Sequence, residues 1–161
     1  MILTDRQPTG LRKGLLRAPI WLYRMHPGAV LGYRLVSLAH RGRRSGQRGE
    51  VMLEVVKYIP HPEEIIVAAG WADRADWYRN LRVAPPVHIV SGSRRWADPD
   101  QRFLDAAETS ALHMNYQQAH PRAWRRLAWT VGLPIVPNDQ DWTAVASRVP
   151  AVAFTPQQLI G

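Results

Sequence analysis

The sequence predicts an α+β domain built on a largely antiparallel sheet. Three observations carry that reading. Apolar and β-branched runs stand at "YRLVSLAH" (33–40), "EVMLEVVKY" (50–58) and "EEIIVAAG" (63–70), bounded by Gly or Pro. The links between them have hairpin length, and strands joined so tightly must run antiparallel. Helical spacing then takes over from 105 to 133. A length of 161 residues with 46% hydrophobic residues suits one domain, 1–161, with a core of its own.

The elements follow in order. Residues 1–28 form an N-terminal helical segment, with Leu11, Leu15, Leu16, Ile20 and Leu22 at helical spacing. Pro19 should break or restart that helix, because it lacks an N–H and clashes one turn back. Arg12, Lys13, Arg17 and Arg24 sit among its apolar residues, so the segment reads as a packing helix with a solvated basic face or as an interfacial helix touching anionic lipid. Residues 30–100 hold the strands. "IPHPE" (59–63) reads as a tight turn, and "ADWYRNLRV" (75–83) as a short helix with Asp73 or Asp76 at its N-terminus, ended by "APP". "VHIVSG" (87–92) and "RRWADPD" (94–100) form a hairpin over Gly92 and Ser93. Residues 105–148 are helical, broken at Pro121 and with a last short helix near 139–148. A final strand, 151–156, closes the fold.

Charge narrows the partners. The net charge of +8 favours an anion: a nucleic acid, an anionic membrane surface, or a phosphorylated or carboxylated small molecule. Nucleic acid is not expected, because neither a recognition helix nor an aromatic sheet motif appears. The absence of cysteine excludes disulfides, thiolate chemistry and Cys-based metal sites. The histidines lack zinc-ligand spacing, so no metal is expected. No Ser stands in a nucleophile elbow, and no pair of carboxylates lies near the basic residues. An enzyme built from these residues would depend on a bound cofactor for its reactive atom. Neither a signal peptide nor a membrane-spanning stretch is expected, which points to the cytoplasm, with contact at the inner membrane face if the N-terminal helix is interfacial. Nothing in the sequence fixes an oligomeric state.

The densest charge lies on "HRGRRSGQRGE", His40 to Glu50, where four arginines and three glycines link two strands. Glycines there let the backbone aim N–H groups at one point, and arginine forks match phosphate and carboxylate oxygens. This is an anion cradle, although neither a Walker loop nor a dinucleotide fingerprint. The alternative is a solvated hairpin tip. A second cluster, "AAGWADRADWYRNLR" (68–82), runs from a strand end through Trp71 into a helix. Trp77 and Tyr78 supply flat faces. Leu81 reads as core. Asn80 has poor propensity inside a helix, which assigns it a hydrogen-bonding role, expected at a pocket.

These residues in this order resemble the deazaflavin-dependent nitroreductase and quinone reductase family of actinobacteria. The motifs that carry the likeness are "HRGRRSGQ", "LEVV", "VAAG" and "WYRNLR", within about residues 30 to 98. The resemblance implies a split β-barrel of the FMN-binding-like, flavin-reductase-like kind with flanking helices. It implies the coenzyme F-420, an 8-hydroxy-5-deazaflavin, and an oxidoreductase that passes a hydride to a small electrophile such as a quinone. Gly42, Arg43, Arg44, Ser45 and Gly46 would grip the coenzyme's phosphate and acidic tail. Ala68, Ala69, Gly70 and Trp71 would border the ring, and Trp77, Tyr78 and Asn80 would add ring and phosphate contacts. Arg48 stands one place early for the family's arginine, with Gly49 in that slot. Gly70 and Trp71 stand where some relatives carry Ser-Lys, and the tyrosine-rich C-terminal segment of nitroimidazole-reducing members is matched only by Tyr116. The candidate proton donors are Tyr78 and Tyr116. FMN, with one phosphate and no glutamate tail, uses less of the positive surface and is the lesser candidate. The rival classes are a non-catalytic split-barrel binder of flavin, haem or lipid, and a basic nucleic-acid-binding domain.

Overall fold

A computed structural model describes residues 34–70, 74–133 and 141–157. The expected helical segment 1–28, with its proposed membrane contact, lies outside the described residues, as do Trp71 and Asp73.

Among the described residues, seven strands form one sheet: β1 (Leu35–Arg41), β2 (Arg48–Pro60), β3 (Glu63–Ala68), β4 (His88–Ser91), β5 (Arg94–Ala97), β6 (Asp100–Phe103) and β7 (Ala151–Thr155). Their spatial order is β5-β4-β1-β2-β3-β7-β6, and every pairing is antiparallel. Strands β5 and β6 occupy opposite edges of this order, yet only Asp98 and Pro99 separate them. Laid flat, six interstrand gaps would hold the edges roughly 29 Å apart. Three Cα steps span at most about 11 Å. The sheet must therefore curl until its edges meet, and this makes it a split β-barrel with helices attached.

The long strand β2 makes the curl possible. Its first half pairs with β1 and its second half with β3, and the register slips between Val55 and Lys57. An extra residue in one strand bends it and strengthens its twist. Strand β6 departs from the sequence reading, which ran one strand through residue 100. Asp98 has a φ of 45° and Pro99 has no N–H, so the strand ends at Ala97 and a new one begins.

Among the described residues, four helices accompany the sheet: α1 (Asp76–Leu81), α2 (Ala106–Ala119), α3 (Pro121–Val131) and α4 (Trp142–Arg148). Helix α2 starts on a capping box, with Asp105 accepting from the Glu108 N–H and Glu108 from the Asp105 N–H. Pro121 is the first residue of α3, where a missing N–H costs nothing. Asp141 caps α4. Helix α1 is capped differently from expectation. Ala75 holds the N-cap position without a side-chain bond, while Asp76 sits in the first turn and pairs with Arg43 instead.

Strand alternation sorts the core into two. The inner face of the barrel buries Val36, Leu38, Ile65, Val67, Ile89, Trp96, Val152 and Phe154, and α1 inserts Trp77 and Leu81 among them. On the other side, Val56 and Ala68 pack against Tyr116, Trp124, Val145 and Val149 of the helical layer. His113, fully buried there, bonds the Val149 carbonyl through Nε2 at 2.7 Å.

Candidate functional site

The link between β1 and β2 closes on itself. The Gly42 N–H donates to the Gln47 carbonyl at 2.7 Å, and the Gly46 N–H to the Gly42 carbonyl at 2.8 Å. The Gln47 N–H donates to Ser45 Oγ. Gly46 has a φ of +68°, a left-handed conformation that only glycine adopts without strain. Arg44 and Ser45 stand exposed at the tip.

Asn80 ties this turn to α1. It is 4% exposed, and its side chain is fully engaged with the link. Oδ1 accepts from the Arg43 backbone N–H at 3.1 Å and from Arg43 Nη1 at 3.0 Å, and Nδ2 donates to His40 Nδ1 at 3.0 Å. Arg43 Nη1 also meets Asp76 Oδ1 at 3.2 Å. The predicted hydrogen-bonding role of Asn80 is thus a bond to protein, and the fork of Arg43 is engaged by Asp76 and Asn80. Burial lowers the His40 pKa, with Asp76 pulling it back in part, so the ring is the neutral acceptor this geometry needs. That ring lies over Gly49, where a Cβ would come within 2.8 Å of His40 Cε1.

Arg48 ends on the opposite face. It pairs with Arg41 across β1 and β2, one position from the His40–Gly49 pair, and successive side chains of a strand point to opposite sides. Its Nη2 lies 3.1 Å from His88 Nε2, and Arg95 Nη2 lies 3.3 Å from His88 Nδ1. His88 is 3% exposed. Its pKa is lowered by burial first and then by Arg95 and Arg48, against an opposing pull from Glu50. The structure therefore separates Arg48 from Arg43.

The remaining predicted residues scatter. Ala68 faces the helical layer, and Ala69 is fully buried with its N–H on the Pro150 carbonyl at 2.7 Å. Gly70 is half-buried at the end of that segment. Trp77 is barrel core and meets Tyr78 edge-on at 5.9 Å. Tyr78 and Arg43 share a wall of a groove of about 590 Å³ between α1 and the α2–α4 layer. Tyr116 is buried in the helical layer, where its hydroxyl donates to Glu54 at 3.1 Å. Burial and Glu54 push that hydroxyl up to about 12, which makes it a poor proton donor near neutrality. Among the described residues, no group of three or more His, Cys, Asp or Glu is placed to hold a metal. Sequence reasoning missed His40, Asp76 and His88 as partners of the basic link, although the period of two along β2 already separates Arg48 from Gly49.

The residues present suit an anionic cofactor: Arg44 and Ser45 stand exposed at the tip of a rigid turn, with Arg79 and Arg82 one helix away. A curled antiparallel sheet carrying such a link between β1 and β2 defines the fold as a split β-barrel. Among solved structures, an F420-H2-dependent reductase, FDR-A, aligns with a TM-score of 0.51 over 78% of this chain and 96% of that one, at 19% identity. A second, described as a domain-swapped dimer, aligns with a TM-score of 0.53 over 90% of this chain and 99% of that one, at 15% identity. At these identities the likeness is one of fold. In sequence, a Mycobacterium tuberculosis protein that carries the name F420H(2)-dependent quinone reductase is 39% identical over 61 residues. That match covers 36% of this chain and 49% of the relative, about half its length. The resemblance to the deazaflavin-dependent reductases, read from the basic turn and the Trp-Tyr-x-Asn-Leu helix, is borne out by this sequence match and the shared fold. No protein-family profile matches the chain.

Proposed function

We propose that the protein is a reductase that takes its hydride from reduced coenzyme F-420 and passes it to a small electrophile, a quinone being the leading class. The observation that carries the reading is the clamp of Asn80 on the basic turn. It joins the two motifs of the resemblance into one rigid unit, with Arg44 and Ser45 turned outward. When bound, the deazaflavin supplies a hydride from C5 of its ring. The chain's part is to fix the anionic end of the coenzyme at the turn and to place its ring beside α1 and the end of β3. Positioning of this kind removes a large share of a hydride-transfer barrier. Tyr78, at the groove, is better placed than Tyr116 to hold a proton near an acceptor.

Fluorescence quenching with F-420 and FMN tests the assignment. F-420 should bind at least tenfold tighter, a difference of about 1.4 kcal/mol, because its several acidic groups engage more of the positive surface. Equal affinity, or tighter FMN, overturns it.

A further inference from the structure

Three successive carbonyls, those of Val149, Pro150 and Ala151, lead from the end of α4 into β7, and each receives a donor from a different part of the fold. The Pro150 carbonyl accepts from the Ala69 N–H at 2.7 Å, and the Ala151 carbonyl from the Leu104 N–H at 3.0 Å. The Val149 carbonyl accepts from His113 Nε2 at 2.7 Å. Two of these donors are backbone groups, and the third is a fully buried side chain reaching across from α2. A carbonyl only accepts, so Nε2 carries the imidazole proton. The pairing of β7 with β3 begins at Ala151, and α4 closes with the Val149 N–H on the Val145 carbonyl. The buried Val149 carbonyl therefore lies beyond both ladders, where an acceptor without a donor is costly, and His113 supplies the donor. The junction also backs the groove: Pro150 lines it beside Ala146 and Ser147 of α4 and Thr109 of α2. His113 stands one helical turn on from Thr109.

We propose that His113 is a positioning residue: its Nε2–H fixes the peptide plane between Val149 and Pro150, and that plane sets both the groove wall at Pro150 and the end of β3 at Ala69. The transmission is short. The Val149 carbonyl and the Pro150 nitrogen belong to one rigid plane, so a bond that holds the carbonyl also holds the root of the proline ring that lines the groove. The ring locks φ of Pro150, which leaves a single backbone torsion, ψ of Pro150, between that plane and the carbonyl that receives the Ala69 N–H. The consequence for coenzyme binding rests on the proposed function, which sets the ring beside the end of β3. The hold on Ala69 does not.

Amide hydrogen exchange and F-420 titration of the full chain test the link in three variants. His113→Leu removes the donor and keeps an apolar filling. Exchange at Ala69 should then accelerate about tenfold more than at Leu38 in the middle of β1, and F-420 should bind about tenfold more weakly. His113→Gln places an amide N–H at a similar reach and should restore native exchange at Ala69 and most of the affinity. Trp124→Phe loosens the packing on the same imidazole, whose ring centre lies 5.5 Å from the indole, but leaves the donor in place. It should lower the urea midpoint while exchange at Ala69 stays in step with Leu38 and F-420 affinity stays native. Equal acceleration at Ala69 and Leu38 in His113→Leu, a glutamine variant that behaves as the leucine one, or a selective effect at Ala69 in Trp124→Phe overturns the proposal. If His113→Leu does not fold, the glutamine variant and the native imidazole decide. The ring nitrogen chemical shifts must then place the proton on Nε2, and a proton on Nδ1 overturns the proposal. If Ala69 responds as expected and the native chain binds no F-420, the link stands and the coenzyme assignment fails.

Discussion

Arg43 and Arg48 leave the same basic link and finish on opposite sides of the sheet. On the inner side, Arg43 joins Asn80, Asp76 and His40 in a clamp with charge on both signs. On the outer side, Arg48 and Arg95 converge on one buried, neutral imidazole, His88. Composition alone makes these arginines equivalent. Strand parity does not: it makes one a brace and leaves the other in a crowded cationic patch. A dense run of charge therefore does not act as one binding surface: strand parity sends Arg43 and Arg48 to opposite sides of the sheet.

Removing the amide of the clamp should have the largest effect. Asn80→Ala leaves the Arg43 N–H and the His40 ring without their part-buried bonds to Asn80 and the Arg43 fork with Asp76 alone, and should cost about 2–3 kcal/mol in urea unfolding. Coenzyme affinity should fall with it, since the turn loses its brace. Unchanged stability would mean that the inner cluster is as loosely held as the outer one. Gly49→Ala comes next. The added methyl drives the His40 ring off its position, and a loss of about 1–2 kcal/mol is expected. The exposed Arg44 sharpens the contrast from the other direction. Arg44→Ala should leave stability within about 0.5 kcal/mol while weakening F-420 by tenfold or more, read by calorimetric titration at low and high salt.

The smallest effects concern protons. His40, His88 and His113 all have pKa values below 6.5, with burial the largest cause in each. Because the folded values lie below the unfolded one, the unfolded chain takes up protons first as the pH drops. Stability should be greatest above about 6.5 and should decline from there toward the folded-state values. Chemical denaturation between pH 7 and pH 5 measures this, and a flat profile contradicts it. Arg95→Ala should raise the His88 pKa in an imidazole proton titration and leave His40 where it is. A shift in both would show that the two clusters are electrostatically continuous.

The legible parts of the fold were those governed by local rules. Pro121 marks a helix start, Gly92–Ser93 a turn, and the β-branched runs 33–40 and 63–70 strands, because each depends on its immediate neighbours. The division of 94–103 into two strands was hidden, because it follows from barrel closure, a property of the whole sheet. At the site, the basic turn and Asn80 stand out through residue type. Their mutual bond does not, since it joins positions 37 apart in the chain. Tyr116 drew attention as the last tyrosine of a segment that otherwise departs from the family, and its partner Glu54 lies on a distant strand.

Strand β7 has a consequence for how the chain is made. It fills the slot between β3 and β6, so that until residue 155 has left the ribosome both of those strands have an open edge. An unpaired edge invites pairing with another chain. The barrel cannot close progressively during synthesis, and a polypeptide stalled or cleaved ahead of Ala151 should be a sticky, chaperone-dependent species, whereas one released just beyond Thr155 should close.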